Sequence, residues 1–73
     1  MSVRNYLITV DDQAAAAMED LTARLRLAGF EVVSRLDAIG IVLGRIDEAS
    51  VQRIRSLPGV SAIDEERAIG PSS

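Results

Sequence analysis

Two strand–helix–strand segments follow one another in this 73-residue chain, and few folds accept that order. Short runs rich in β-branched residues predict strands, while apolar residues spaced three and four apart predict amphipathic helices. The predicted strands are residues 5–10, 30–36, 41–46 and 60–65, and the predicted helices are residues 13–28 and 48–56. Each helix therefore connects two strands that can lie parallel through a right-handed crossover.

This order predicts an α+β, ferredoxin-like fold of split βαβ (βαββαβ) topology. The four-stranded antiparallel sheet has the strand order fourth, first, third, second, and both helices lie on one of its faces. Residues 1–66 form a single domain, and residues 67–73 form a flexible C-terminal tail. A domain of this size buries only roughly 60% of its unfolded surface, so its stability is marginal.

The ends of the helices carry local signals. Asp11 or Asp12 can N-cap the first helix, because a short side-chain oxygen accepts a free backbone N–H; a carboxylate pair that binds a cation is the alternative. Gly29 is expected to end that helix in the left-handed conformation. Asp47 caps the second helix, and the Pro-Gly pair at residues 58–59 ends it.

The residue types that are missing exclude much chemistry. The chain has no histidine, cysteine or lysine, and all eight basic residues are arginine. An imidazole general base, a thiol nucleophile and a lysine Schiff base are therefore excluded, as is a zinc site built on Cys or His. We expect a protein that is not an enzyme, with no catalytic residues, no metal and no cofactor.

Composition also narrows the choice of partners. The net charge is −3, the arginines are spread along the chain, and there is one Phe and one Tyr. Nucleic-acid binders carry basic faces with stacking aromatics, so nucleic acid is not an expected partner. A membrane is not expected either, because no apolar run approaches about 20 residues. With no secretory signal visible, the expected location is cytoplasmic.

The third strand is apolar on both of its sides. Ile41 and Leu43 point one way, while Val42 and Ile46 point the other, so one pair must face away from the helices. An exposed apolar patch on a small domain is typical of a contact surface. Apolar residues scattered singly over the surface are the alternative.

The closing segment of the domain has features that suit the binding of a partner protein. A helix stops at the Pro-Gly turn, one short strand follows, and Asp64, Glu65 and Glu66 end it before the tail. Such a strand can clamp a partner's surface and lead the tail into a cleft. A solvated strand end is the simpler alternative.

With these features the chain resembles the inhibitor I9 family, which comprises the propeptides of subtilisin-like serine proteases and their stand-alone inhibitor relatives. The resemblance spans nearly the whole domain and rests on three segments: YLITV at residues 6–10, GFEV at residues 29–32 and LPGVSAIDEE at residues 57–66. It implies that the open side of the sheet docks on two surface helices of a protease, and that the acids at the end of the last strand cap the N-termini of those helices.

Carried over by position, the capping acids are Asp64 and Glu66, whereas Glu65 points to the opposite face. The tail then lies in the substrate cleft through Ile69, Gly70, Pro71 and Ser72, with Ile69 in an apolar subsite. The tail ends in Gly-Pro-Ser-Ser at residues 70–73, and this departs from the family, whose tails commonly end in residues suited to the protease cleft.

No protease domain follows the segment, so an action in trans is expected. The predicted function is a non-catalytic inhibitor or folding assistant of a subtilisin-like serine protease. The alternative is a regulatory or assembly module that forms a homodimer through the open sheet face. A small-molecule sensor is a third possibility, and it needs a pocket between subunits.

Overall fold

A computed structural model describes residues 2–66. The elements in chain order are β1 (Val3–Val10), α1 (Asp12–Ala15), α2 (Met18–Leu27), β2 (Glu31–Leu36), β3 (Ile41–Asp47), α3 (Val51–Arg55) and β4 (Val60–Glu65). Two 3-10 turns, Asp37–Ile39 and Glu48–Ser50, precede β3 and α3. The prediction of a flexible tail concerns residues 67–73, which lie outside the described residues.

The four strands form one antiparallel sheet in the order β2-β3-β1-β4, with α1, α2 and α3 accompanying it. This arrangement confirms the predicted ferredoxin-like α+β fold and its strand order. The central strands β1 and β3 pair along seven residue positions, from Val3 opposite Asp47 to Thr9 opposite Ile41.

The hydrophobic core lies between the helices and one face of the sheet. β1 contributes Tyr6, Ile8 and Val10, and β3 contributes Val42 and Ile46, all of them buried. The helices and the segments beside them complete the same cluster with Met18, Leu21, Leu25, Phe30 and Ile54, and β4 adds Ile63. Since side chains alternate along a strand, every second residue is buried from Tyr6 to Val10 on β1 and from Val42 to Ile46 on β3.

The first predicted helix is wrong in one respect, because it is divided into two. The Asp11 side chain accepts a hydrogen bond from the Ala14 N–H at 2.8 Å and caps α1. The chain then leaves the helical conformation at Ala17 (φ −136°, ψ 54°), and α2 begins at Met18. Alanine is the strongest helix former, so propensity gives no warning of this break. The packing of α2 on the sheet overrides local preference.

The second predicted helix also begins differently. A 3-10 turn occupies Glu48–Ser50, and the α-helix itself is confined to Val51–Arg55. The predicted cap is confirmed, since the Asp47 carboxylate accepts a hydrogen bond from the Ala49 N–H at 3.0 Å.

Each outer strand contains a β-bulge. Val32 lies opposite Gly44 and Ser34 opposite Leu43, so Val33 is the extra residue in β2; Ser61 is the extra residue in β4. Bulges on edge strands hinder the addition of further strands. The first bulge also shifts the alternation along β2, so that Leu36, opposite Ile41, lies on the other face of the sheet from Val32, opposite Gly44.

Gly44 allows an aromatic ring to lie directly on the sheet. A Cβ at this position would overlap the carbonyl oxygen of Glu31 and the ring of Phe30, whose Cζ would be 2.7 Å away. Phe30 is 1% exposed and is among the largest fully buried side chains of the core. Absence of a side chain at Gly44 is thus a packing requirement of the core.

We predict that Gly44→Ala lowers the free energy of unfolding by about 3 kcal/mol, as overpacking of a filled core does. The matched control is Gly29→Ala, because Gly29 has a left-handed backbone (φ +98°) but no neighbour within 4 Å of a Cβ. That change is expected to cost about 1 kcal/mol from backbone strain alone. Urea unfolding followed by circular dichroism measures both, and equal losses would contradict the packing requirement.

Candidate functional site

The face of the sheet opposite the helices is the candidate site, and we call it the open face. Its residues alternate with those of the core along each strand. Leu7, Ile41 and Leu43 are partly exposed and are not among the residues packed against the core. By strand register, the open face consists of Val3, Asn5, Leu7, Thr9, Glu31, Ser34, Leu36, Ile41, Leu43, Arg45, Asp47, Ala62 and Asp64.

The centre of the open face is apolar. Leu7 and Leu43 are directly opposite each other on the two central strands. Ile41 lies one step along β3 on the same face, opposite Leu36, which is 41% exposed. These four side chains form a continuous strip from β1 to β2. The predicted division of the third strand is confirmed, since Val42 and Ile46 are buried on the other face.

An acidic edge borders this strip on β4. Asp64 lies opposite Leu7, and the Glu66 N–H donates to the Asn5 carbonyl oxygen at 2.8 Å, which extends the same register by one residue. Both acids are exposed, and both belong to the open face. Glu65 lies opposite Tyr6 and so faces the helix side. These orientations agree with those predicted, while a role in binding stays a prediction.

In the described part of the chain, the two acids at the end of β4 have no counter-charge on the open face. Among residues 2–66, the strand register places one arginine there, Arg45, and its guanidinium is 3.0 Å from the Glu31 carboxylate on β2. The open face therefore combines an apolar centre, a neutral ion pair on one side and two carboxylates on the other. A further carboxylate, Asp47 at the end of β3, is used to cap the following turn. It suits a partner that brings hydrogen-bond donors or positive charge.

An ion-pair cluster lies on the other side of the same strand end. Arg4 is 2.9 Å from Glu65 and 3.1 Å from Glu48, so it joins β1 to β4 and to the turn before α3. The hydrogen bond from Arg4 to Glu65, together with the nearby carboxylates, raises the pKa of the guanidinium. Sequence analysis missed this cluster, because Arg4 and Glu65 are 61 positions apart and only the strand register brings them together.

The other predicted site residues have different outcomes. Ile69, Gly70, Pro71 and Ser72 lie outside the described residues, so their place in a protease cleft stays a prediction. Asp11 serves as a helix cap. Within residues 2–66 no group of three or more potential ligands is placed to hold a metal ion.

A concavity lies away from the open face, between the break that separates α1 from α2 and the end of β2. It measures about 430 Å³ and is lined by Ala15, Ala16, Ala17, Met18, Glu19, Asp20, Arg35 and Asp37. Nε and Nη2 of the Arg35 guanidinium each donate a hydrogen bond of 2.9 Å to the Asp37 carboxylate. With its cation paired and two further acids on its wall, this groove offers little to an anionic ligand.

Comparisons with known proteins do not assign a family. The sequence matches no protein-family model, and it matches no curated protein. In the part of the chain that the structure describes, every helix is too short or too polar to cross a bilayer. The open face is therefore the feature on which a function can be argued.

Tyr6 provides a pH-dependent test of the strand end. Burial, followed by the negative charges of Glu65 and Glu48, raises its pKa above the ordinary value of 10.0. As the pH rises, the unfolded chain therefore loses the phenolic proton before the folded chain does. The contribution of Tyr6 to the free energy of unfolding is complete below pH 10 and is lost as the pH rises through the folded pKa. Because Tyr6 is the only tyrosine and the chain has no tryptophan, tyrosinate absorbance reports it directly. A folded-state midpoint at or below that of the urea-unfolded chain would contradict this environment.

Proposed function

We propose that this protein is a non-catalytic inhibitor, or folding assistant, of a subtilisin-like serine protease and acts in trans in the cytoplasm. The observation that carries the proposal is the open face, where Leu7, Leu43 and Ile41 lie beside two outward carboxylates, Asp64 and Glu66. Within residues 2–66, the one arginine on that face is already paired with Glu31. The resemblance of the closing segment to protease propeptides supports the choice of partner.

The spacing of the acids suits a pair of neighbouring helices. Asp64 and Glu66 are two residues apart on one strand, which separates their Cα atoms by roughly 7 Å. Packed helices lie about 8–10 Å apart, a difference that carboxylate side chains can span. A helix N-terminus offers unpaired N–H groups and partial positive charge, which a carboxylate satisfies. Each acid can thus serve one helix while the apolar strip covers the surface between them.

A second copy of the chain fits the open face less well. In a face-to-face homodimer, both subunits would bring the acidic edge of β4, and the one arginine that the described residues place on that face is already paired with Glu31. The carboxylates of each copy would be desolvated without gaining a counter-charge, which is unfavourable. This charge imbalance favours a different protein as the partner. Homodimerisation is the alternative outcome, and sedimentation detects it.

We predict that the protein slows hydrolysis by subtilisin-type proteases at micromolar concentration. The double variant Asp64→Asn with Glu66→Gln is expected to raise the inhibition constant by at least about tenfold, since hydrogen bonds to charged groups contribute about 1.5–3 kcal/mol each. The matched control is Glu19→Gln with Asp20→Asn, which changes the net charge equally on α2. Steady-state inhibition titrations measure all three proteins. No inhibition by the unaltered protein, or equal effects of the two double variants, would contradict the proposal.

Truncation after Glu66 tests the proposed role of the tail. The shortened protein is expected to inhibit more weakly, because the segment from Arg67 would no longer occupy the substrate cleft. Equal inhibition by the full and shortened proteins would remove the tail from the mechanism but leave the open face in it. Sedimentation of the free protein completes the test, since a tight dimer that dissociates on Leu43→Arg would favour the homodimer instead.

A further inference from the structure

We infer that Arg4 is a positioning residue for the acidic edge, because it holds the end of β4 from the helix side. This inference rests on the proposed function and deepens it, by naming a residue outside the docking surface that sets the direction of the docking acids. The tie is between the Arg4 guanidinium and the Glu65 carboxylate, 2.9 Å apart.

The end of β4 has few other restraints. β4 is an outer strand paired with β1 alone, and its last residue, Glu65, lies one position beyond Asp64. After Glu65, the described backbone contributes the Glu66 N–H, which bonds to the Asn5 carbonyl oxygen at 2.8 Å. Strand ends that are bonded on one side fray readily. An ion pair at this point therefore has more influence on local order than it has on the whole domain.

Because side chains alternate along the strand, the Arg4–Glu65 ion pair also orients the side chains on either side of Glu65. Successive side chains point to opposite faces, so a Glu65 that is fixed on the helix side directs its two neighbours, Asp64 and Glu66, to the open face. Arg4 lies on β1 opposite Ile46, whose side chain is in the core. Arg4 and Glu65 consequently stay on the far side of the sheet from a docked partner, and the tie can persist in the complex.

Glu48 supplies an internal comparison. It also contacts Arg4, at 3.1 Å, but it belongs to the turn before α3 and not to β4. Removing its charge leaves the Arg4–Glu65 pair in place. Loss of Arg4 or Glu65 is expected to loosen the strand end, whereas loss of Glu48 is not.

Amide hydrogen exchange measured by NMR tests the structural half of the inference without any protease. In Arg4→Gln and in Glu65→Gln, the exchange rate of the Glu66 amide is expected to rise about threefold, the size of effect that an exposed ion pair produces. The amide of Ala62, which the same register pairs with Thr9 on β1, and the thermal midpoint are expected to stay unchanged. The Glu66 amide is likewise expected to stay unchanged in Glu48→Gln. An unchanged Glu66 rate in Arg4→Gln would overturn the inference.

Inhibition assays test the functional half. Arg4→Gln is expected to raise the inhibition constant about threefold, Arg4→Lys is expected to restore most of the loss, and Arg53→Gln, which removes the same charge from α3, is expected to have no effect. If the unaltered protein inhibits and Arg4→Gln inhibits equally well, Arg4 has no positioning role. If the unaltered protein does not inhibit, the proposed function fails, and the exchange rates still decide whether Arg4 holds the strand end.

Discussion

A single layer of short helices can cover only one face of a four-stranded sheet, and the rest of this molecule follows from that limit. The central strands β1 and β3 carry apolar side chains on both faces. One set, including Ile8 and Val42, is fully buried beneath the helices. The other set, Leu7, Ile41 and Leu43, is left partly exposed to solvent. In a domain of 73 residues no further layer of secondary structure covers the open face within the described part of the chain, so an apolar strip there indicates a surface used for contact.

The charges beside the apolar strip then distinguish between the partners that the open face could bind. The two outer strands differ. The acid of β2, Glu31, is neutralised by Arg45, whereas Asp64 and Glu66 at the end of β4 have no counter-charge on that face among residues 2–66. The bulges at Val33 and Ser61 discourage strand addition at both edges. We therefore propose that a partner contacts the face and not the edges, and that its surface offers hydrogen-bond donors. The Arg4–Glu65 tie fits this scheme, since it orders the acidic edge from the side that contact leaves free.

Much of this architecture could be predicted from local patterns, and the exceptions share a physical cause. The strand order, the cap at Asp47 and the opposite orientations of Asp64 and Glu65 all follow from periodicity or from short-range hydrogen bonding. The break before Met18 did not, because consecutive alanines favour a continuous helix and only tertiary packing interrupts it. The bulge at Val33 also had no signal in the sequence, since neither neighbouring residue is a glycine, the residue that often marks a bulge. The Arg4 cluster could not be predicted either, because it depends on the register between strands that are distant in sequence. Residue type therefore predicted the apolar and acidic parts of the candidate site, but not what holds the acidic part in place.

The most direct test is to observe the open face while a partner binds. Methyl NMR with a soluble paramagnetic probe is expected to show strong relaxation of Leu7, Ile41 and Leu43 in the free protein and weak relaxation of the buried Ile8 and Val42 throughout. Addition of an inactivated subtilisin-type protease is expected to protect the methyl groups of Leu7, Ile41 and Leu43 from the probe, while the outward side of α2 stays accessible. Protection of α2 with continued relaxation of Leu7 and Leu43, or no protection anywhere, would contradict the claim that the open face is the binding surface.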